Sequence, residues 1–105
     1  MGSGAFPVDK LHEDGLVFAI ADIAPRAPKH LIVISQQHIP TAHHVTNEHG
    51  PLLAHMFSVA AKLADDFEIA DSGYRLTFNA GADAGQSVYH LHMHVLGGGK
   101  LGPEA

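Results

Sequence analysis

Gly85-Gln86-Ser87-Val88-Tyr89-His90-Leu91-His92-Met93-His94-Val95-Leu96-Gly97-Gly98-Gly99 is the stretch whose reading decides the fold. At its centre His90, His92 and His94 alternate with Leu91, Met93 and Val95. Successive side chains of a β-strand point to opposite faces, so this spacing predicts a strand with three imidazoles on one face and three hydrophobes on the other. Same-face neighbours along a strand stand roughly 6.5–7 Å apart, too far for ring stacking but close enough to share one ligand. A single strand histidine is usually a surface or hydrogen-bonded core residue. Three in strict alternation, neither contiguous nor terminal, point to chemistry.

Three chemistries compete for such a row. Neutral imidazole is the commonest metal ligand, and His-x-His supplies two ligands on one face. A metal site would want Cys or carboxylate nearby, yet the chain has no Cys and no Asp or Glu between Asp83 and Glu104. The second chemistry is phosphoryl or nucleotidyl transfer, one imidazole acting as nucleophile while neighbours hold the phosphate. Gly85-Gln86-Ser87 favours this, because small residues let backbone amides approach an anion. The third is a nucleotide-binding module with little catalysis.

Working outward, Tyr74, Leu76 and Phe78 alternate with Arg75, Thr77 and Asn79, which predicts a strand over Tyr74–Asn79. Before it, Leu52, Leu53, Met56, Phe57, Ala60, Leu63, Ala64 and Phe67 recur at helical spacing, so 51–67 reads as a helix begun by Pro51 with one apolar stripe. The Met56–Phe57 pair reads as core, and His55 as a surface histidine opposite Phe57. His43, His44 and His49 read as solvated. His30–Ile34 reads as a buried β-branched strand, following a loop set by Pro25 and Pro28. Val8–Glu13 and Leu16–Ile20 read as a hairpin about Asp14-Gly15. Five strands and one main helix joined by short turns predict an α+β domain with a largely antiparallel sheet.

At 105 residues the chain suits one domain, and 46% hydrophobic against 16% charged residues is globular composition. We take residues 8–105 as that domain and residues 1–7 as an extension, Met1-Gly2-Ser3-Gly4 resembling an expression scar. The formal charge is −5, from 6 basic against 11 acidic residues, which speaks against a nucleic-acid partner. Ten histidines make that charge sensitive to pH near 6.5. Zero Cys excludes disulfide and thiol chemistry. No apolar run approaches the ~20 residues of a membrane span and no signal peptide is visible, so no membrane partner and a cytoplasmic location are expected.

His90-Leu91-His92-Met93-His94-Val95-Leu96-Gly97-Gly98 resembles the His-φ-His-φ-His-φ-φ signature of the histidine-triad (HIT) superfamily, where φ is apolar. With Gly85-Gln86-Ser87-Val88-Tyr89 before it, the run is similar to the Hint branch, the purine nucleoside phosphoramidases. The resemblance extends from about Glu13 to Pro103 and includes Ala21-Asp22-Ile23-Ala24-Pro25-Arg26-Ala27-Pro28-Lys29-His30, Gln37-His38-Ile39 and Gly73-Tyr74-Arg75. It implies a five-stranded antiparallel sheet with helical cover, continued across a homodimer through Tyr74–Asn79 and the 51–67 helix. It implies a purine nucleotide ligand and no cofactor or metal. It makes His92 the nucleophile at the α-phosphorus of a nucleoside phosphoramidate or aminoacyl-adenylate, with release of nucleoside monophosphate from a nucleotidyl-histidine. His90 would orient His92, and His94 would donate to a phosphate oxygen or the bridging atom. By the same resemblance His38 matches a fourth active-site histidine. Asn79, Gly85, Gln86 and Ser87 match the phosphate side, with Ser87 near the leaving group, and Asp22 matches the acceptor of both ribose hydroxyls. Phe18, Ile20, Ile23 and Leu31 are candidates for the base pocket. Two features depart from the Hint pattern: few residues precede the first strand, and the chain has no Trp.

Overall fold

The structure, a computed structural model, describes residues 10–103; the expected extension over residues 1–7, and residues 8 and 9 of the first expected strand, lie outside them. Asp14 sets the first turn. Its Oδ1 accepts the backbone N–H groups of Leu16 and Val17 at 2.8 and 2.9 Å, the self-capping habit that makes Asp a turn residue. The turn joins β1 (His12–Glu13) to β2 (Val17–Ala21). β2 is shifted one residue from expectation, whereas β1 ends at Glu13 as expected but is shorter, although Leu11 N–H still donates to the Ala19 carbonyl at 2.7 Å.

After the proline-ruled loop comes β3 (Lys29–Ser35), then α1 (Gly50–Asp66), β4 (Tyr74–Thr77) and β5 (His92–Gly97). The sheet order is β1-β2-β3-β5-β4, with every neighbouring pair antiparallel, so the expected five-stranded α+β architecture is present. Expected and observed helix bounds differ by one residue at each end, with Gly50 preceding Pro51.

Strand register divides the sheet into two faces. Ala19, Val33 and Met93 stand side by side, as do Leu31, Val95 and Leu76, and these residues face α1. Leu52, Met56, Val59, Ala60, Leu63 and Ala64 of the helix bury against them, together with Ile39, Ile69 and Leu91. Each large aliphatic side chain so buried contributes roughly 1.5–3 kcal/mol. Two expectations for the helix are corrected here. Phe57 is 49% exposed rather than core, while Val59, absent from the expected stripe, is buried. The core-facing arc runs through 52, 56, 59, 60 and 63, and Phe57 stands at its border. Gly97 ends β5 where space is tight, since a Cβ there would lie 2.9 Å from Ile69 Cδ1 and 3.2 Å from Tyr74 Cβ.

The other face carries Phe18, Ile20, Ile32, Ile34, His92 and His94, with Ile34 opposite His92 and Ile32 opposite His94. The expectation of three imidazoles on one strand fails at His90, which lies in a bend before β5. There the chain leaves the regular ladder. Leu91 N–H donates to the Ile39 carbonyl at 2.6 Å, and Ser35 N–H reaches the Leu91 carbonyl at 3.2 Å. Tyr74–Asn79 is likewise shorter than expected, with Phe78 and Asn79 beyond the paired residues. Among the described residues no helix is long and apolar enough to cross a membrane.

Candidate active site

The open face of β5 meets the loop 79–88 in a cleft of about 400 Å³, lined by Asp22, Ala24, Arg26, Ile32, Asn79, Gly85, Gln86, Ser87, Val88, His92 and His94. Glycines shape its rim. Gly81 and Gly85 take φ of +94° and +89°, conformations that cost little only without a Cβ. Gln86 is buried and fully engaged: its Oε1 accepts Gly81 N–H at 2.8 Å, and its amide donates to the carbonyls of Pro40 and Val88 at 2.9 and 3.1 Å. It therefore holds the loop in place. Ser87 is exposed at the cleft, and Asn79 lines it from beyond β4.

Hydrogen bonds fix the imidazole tautomers. Arg26 N–H donates to His30 Nδ1 at 3.1 Å, so the neutral His30 ring carries its proton on Nε2. That proton is donated to His94 Nδ1 at 2.8 Å, which leaves the His94 proton on Nε2. On the neighbouring residue, His92 Nδ1–H donates to the His90 carbonyl at 2.7 Å, leaving a lone pair on Nε2. The His92 and His94 rings are 5.1 Å apart between centroids and inclined at 69°, closer than an ideal strand spacing because the rings lean together edge to face. A bare nitrogen and an N–H donor thus stand next to each other.

Burial explains the charge state of this pair. Desolvation, then the nearby His92, His30 and Arg26, push the His94 pKa down to about 4, against a smaller opposing pull from Asp22. His30 is also lowered, first by burial and with a contribution from Arg26, while Asp22 opposes. Near pH 7 both rings are neutral, as the tautomer chain requires. Asp22 Oδ2 lies 3.4 Å from His30 Nε2, and Asp22 Oδ1 accepts Ala24 N–H at 2.8 Å. The donor atoms of Asp22, His30 and His94 all fall within 4.8 Å of one another, compact enough to hold a metal ion.

His90 belongs to a separate pair. Its Nε2–H donates to the Ser35 carbonyl at 2.6 Å, and its Nδ1 lies 3.0 Å from His38 Nδ1. Neither His90 nor His38 lines the cleft. The histidine that completes the cleft network is His30, for which periodicity alone predicts only a place on a buried strand. Its parity with Ile32 and Ile34 on the open face was the available signal. Among the expected base-pocket residues, Phe18 and Ile20 share the histidine face, Ile32 joins them, and Ile23 is 94% exposed beside Asp22. Leu31 is corrected to the helix-side core, opposite Val95 and 2% exposed.

Comparison with known proteins identifies the family. The family model described as HIT domain matches residues 4–101. A protein named purine nucleoside phosphoramidase from Escherichia coli (strain K12) is 48% identical over 97 residues, 92% of this chain and 82% of its own length. Among solved structures, a HIT family hydrolase from Legionella pneumophila Philadelphia 1 superposes with a TM-score of 0.93 at 40% identity, covering 97% of this chain and 92% of that one. A HIT family hydrolase from Clostridium thermocellum gives 0.89 at 42% identity over 93% and 85% of the two chains. The chain belongs to the HIT family, as one of its hydrolases.

Proposed function

We propose that this hydrolase cleaves the P–N bond of nucleoside 5′-phosphoramidates, or the mixed anhydride of aminoacyl-adenylates, through a nucleotidyl-His92 intermediate. The observation that carries the reading is the protonation pattern: His92 keeps its Nε2 lone pair because Nδ1–H is committed to the His90 carbonyl. Neutral imidazole is nucleophilic near pH 7 and forms a labile P–N bond. In the first step Nε2 of His92 bonds to the α-phosphorus while the bond to the leaving group breaks. His94 Nε2–H donates a hydrogen bond to the bridging atom, oriented for this by the His30 Nε2–H bond to its Nδ1, and the departing amine takes its proton from solvent. In the second step water attacks phosphorus and gives up a proton to solvent, the P–Nε2 bond breaks to return neutral His92, and nucleoside monophosphate leaves. The exposed Ser87, with Asn79, offsets the redistributed phosphate charge.

Asp22 at the cleft mouth is suited to both ribose hydroxyls. Phe18, Ile20, Ile32 and the exposed Ile23 offer the apolar surface for a purine. His38 and His90 support the Ser35–Leu91 crossing that aims His92. The reading also takes the protein as a cytoplasmic homodimer of a single domain over residues 8–105. The free edge of β4 and the half-exposed Phe57 support the dimer, and the lack of Cys is in keeping with the compartment.

The compact Asp22–His30–His94 donor set favours a second reading, a metal-dependent hydrolase. Adenosine 5′-phosphoramidate turnover with and without chelator separates the two. Release of AMP and ammonia unaffected by chelation is expected. Loss of turnover that returns with zinc in proportion to an ion bound at Asp22, His30 and His94 would overturn the covalent reading.

A further inference from the structure

On the helix-covered face, remote in register from the His92–His94 row, three potential metal ligands converge. His12 on β1 stands opposite Ala19, a helix-side position, and its Nε2 lies 2.6 Å from Asp14 Oδ2. His55, one turn into α1 from Leu52, places its own Nε2 2.7 Å from that same oxygen. The sequence reading of His55 as a free surface histidine is thereby corrected: it bridges 41 residues back to the hairpin turn. The three donor atoms fall within 4.8 Å of one another, and all three side chains are partly exposed.

We propose that His12, Asp14 and His55 form a site for a divalent transition-metal ion, Zn²⁺ being the best match, that fastens the β1–β2 turn to α1. Two imidazole nitrogens and one carboxylate oxygen suit zinc rather than calcium or magnesium, which prefer all-oxygen shells. Zn–N and Zn–O bonds of about 2.0–2.1 Å in a tetrahedron put ligand atoms roughly 3.3 Å apart. The present separations of 2.6 and 2.7 Å therefore need to open by less than about 1 Å, which partly exposed side chains can supply. The carboxylate is already oriented, because its other oxygen accepts Leu16 and Val17 N–H. Partial exposure leaves the fourth position to water. On binding, each Nε2–H proton moves to Nδ1 by exchange with solvent and the Nε2 lone pair turns to the ion.

The test is a Zn²⁺ titration of chelator-stripped full-length protein at pH 7.5, followed by NMR of the histidine Cε1–H groups and by thermal melts. The His12 and His55 signals are expected to shift together and saturate at one equivalent, with Tm rising by at least about 5 °C. His12→Phe and His55→Ala are each expected to weaken that event at least about 100-fold. His55→Ala should keep its turnover per folded chain, which separates this site from any metal demand at the cleft. If the His12 and His55 signals stay still while those of other histidines move, or if both variants bind Zn²⁺ as tightly as wild type, the cluster is a hydrogen-bonded clasp without ion affinity. The wild-type NMR result decides even where a variant folds poorly.

Discussion

Acid titration of the His30–His94 pair is the perturbation whose size follows most directly from the structure. His94 has a pKa lowered to about 4 in the folded protein, mainly by burial, against 6.5 for the ordinary group. Above pH 6.5 the ring is neutral in both folded and unfolded chains, and pH has no leverage through it. Between 6.5 and 4 the unfolded chain binds a proton that the folded one refuses, so stability falls as pH falls and levels off below about 4. At 1.36 kcal/mol per pKa unit the full window is worth about 3 kcal/mol. His30 shifts in the same direction and adds to the loss. Asp14 acts lower down: its carboxyl is depressed, so its stabilisation is present above the ordinary value of 3.8 and disappears only beneath it. Since domains hold only about 5–15 kcal/mol in reserve, the histidine term should be plain in urea unfolding at fixed protein concentration between pH 7 and 4.5. His94→Gln, lacking the titrating ring, should flatten the slope. A flat wild-type profile, or a His94 NMR titration near 6.5, would refute the burial argument.

Further expectations concern other parts of the chain. Asp22→Ala should erase the preference for ribo- over deoxyribonucleoside substrates, since each bond to a charged acceptor is worth roughly 1.5–3 kcal/mol; an unchanged kcat/KM ratio would make Asp22 structural. Phe57→Asp, altering a half-exposed side chain on α1, should leave the monomer fold intact yet yield monomer by sedimentation, and an unchanged dimer would place the interface elsewhere. Glu68 takes φ of 60° just past α1, where Ile69 N–H closes onto the Ala64 carbonyl at 2.9 Å. Glu68→Gly should therefore raise stability by about 1 kcal/mol in urea melts, and a loss would show that the left-handed turn is not costly there.

Local periodicity made most of the fold legible. Leu91, Met93 and Val95 alternate as a strand must when one side packs on a helix, and their burial is as the pattern implies. Patterns end where partners distant in sequence decide. His90 fits the alternation yet leaves the strand because Ser35 and Ile39 capture the chain around it. His30 meets His94 across 64 residues, and no spacing rule links a histidine opening a buried strand to one in the triad. Phe57 fits the apolar stripe as well as Met56 does, but only the packed sheet decides which of them borders solvent. The ribose, phosphate and nucleophile assignments came from family likeness; geometry adds the tautomers.

The central claim is that His92 Nε2 becomes covalently bonded to phosphorus. Its most direct measurement is rapid quenching of the wild-type protein with adenosine 5′-phosphoramidate at alkaline pH, followed by peptide mapping. The account predicts an adenylyl group on His92, lost in acid, and absent from His92→Asn, whose turnover falls by several orders of magnitude while AMP still binds within about tenfold, ~1.4 kcal/mol. An adduct on another histidine, or turnover retained by His92→Asn, would contradict it.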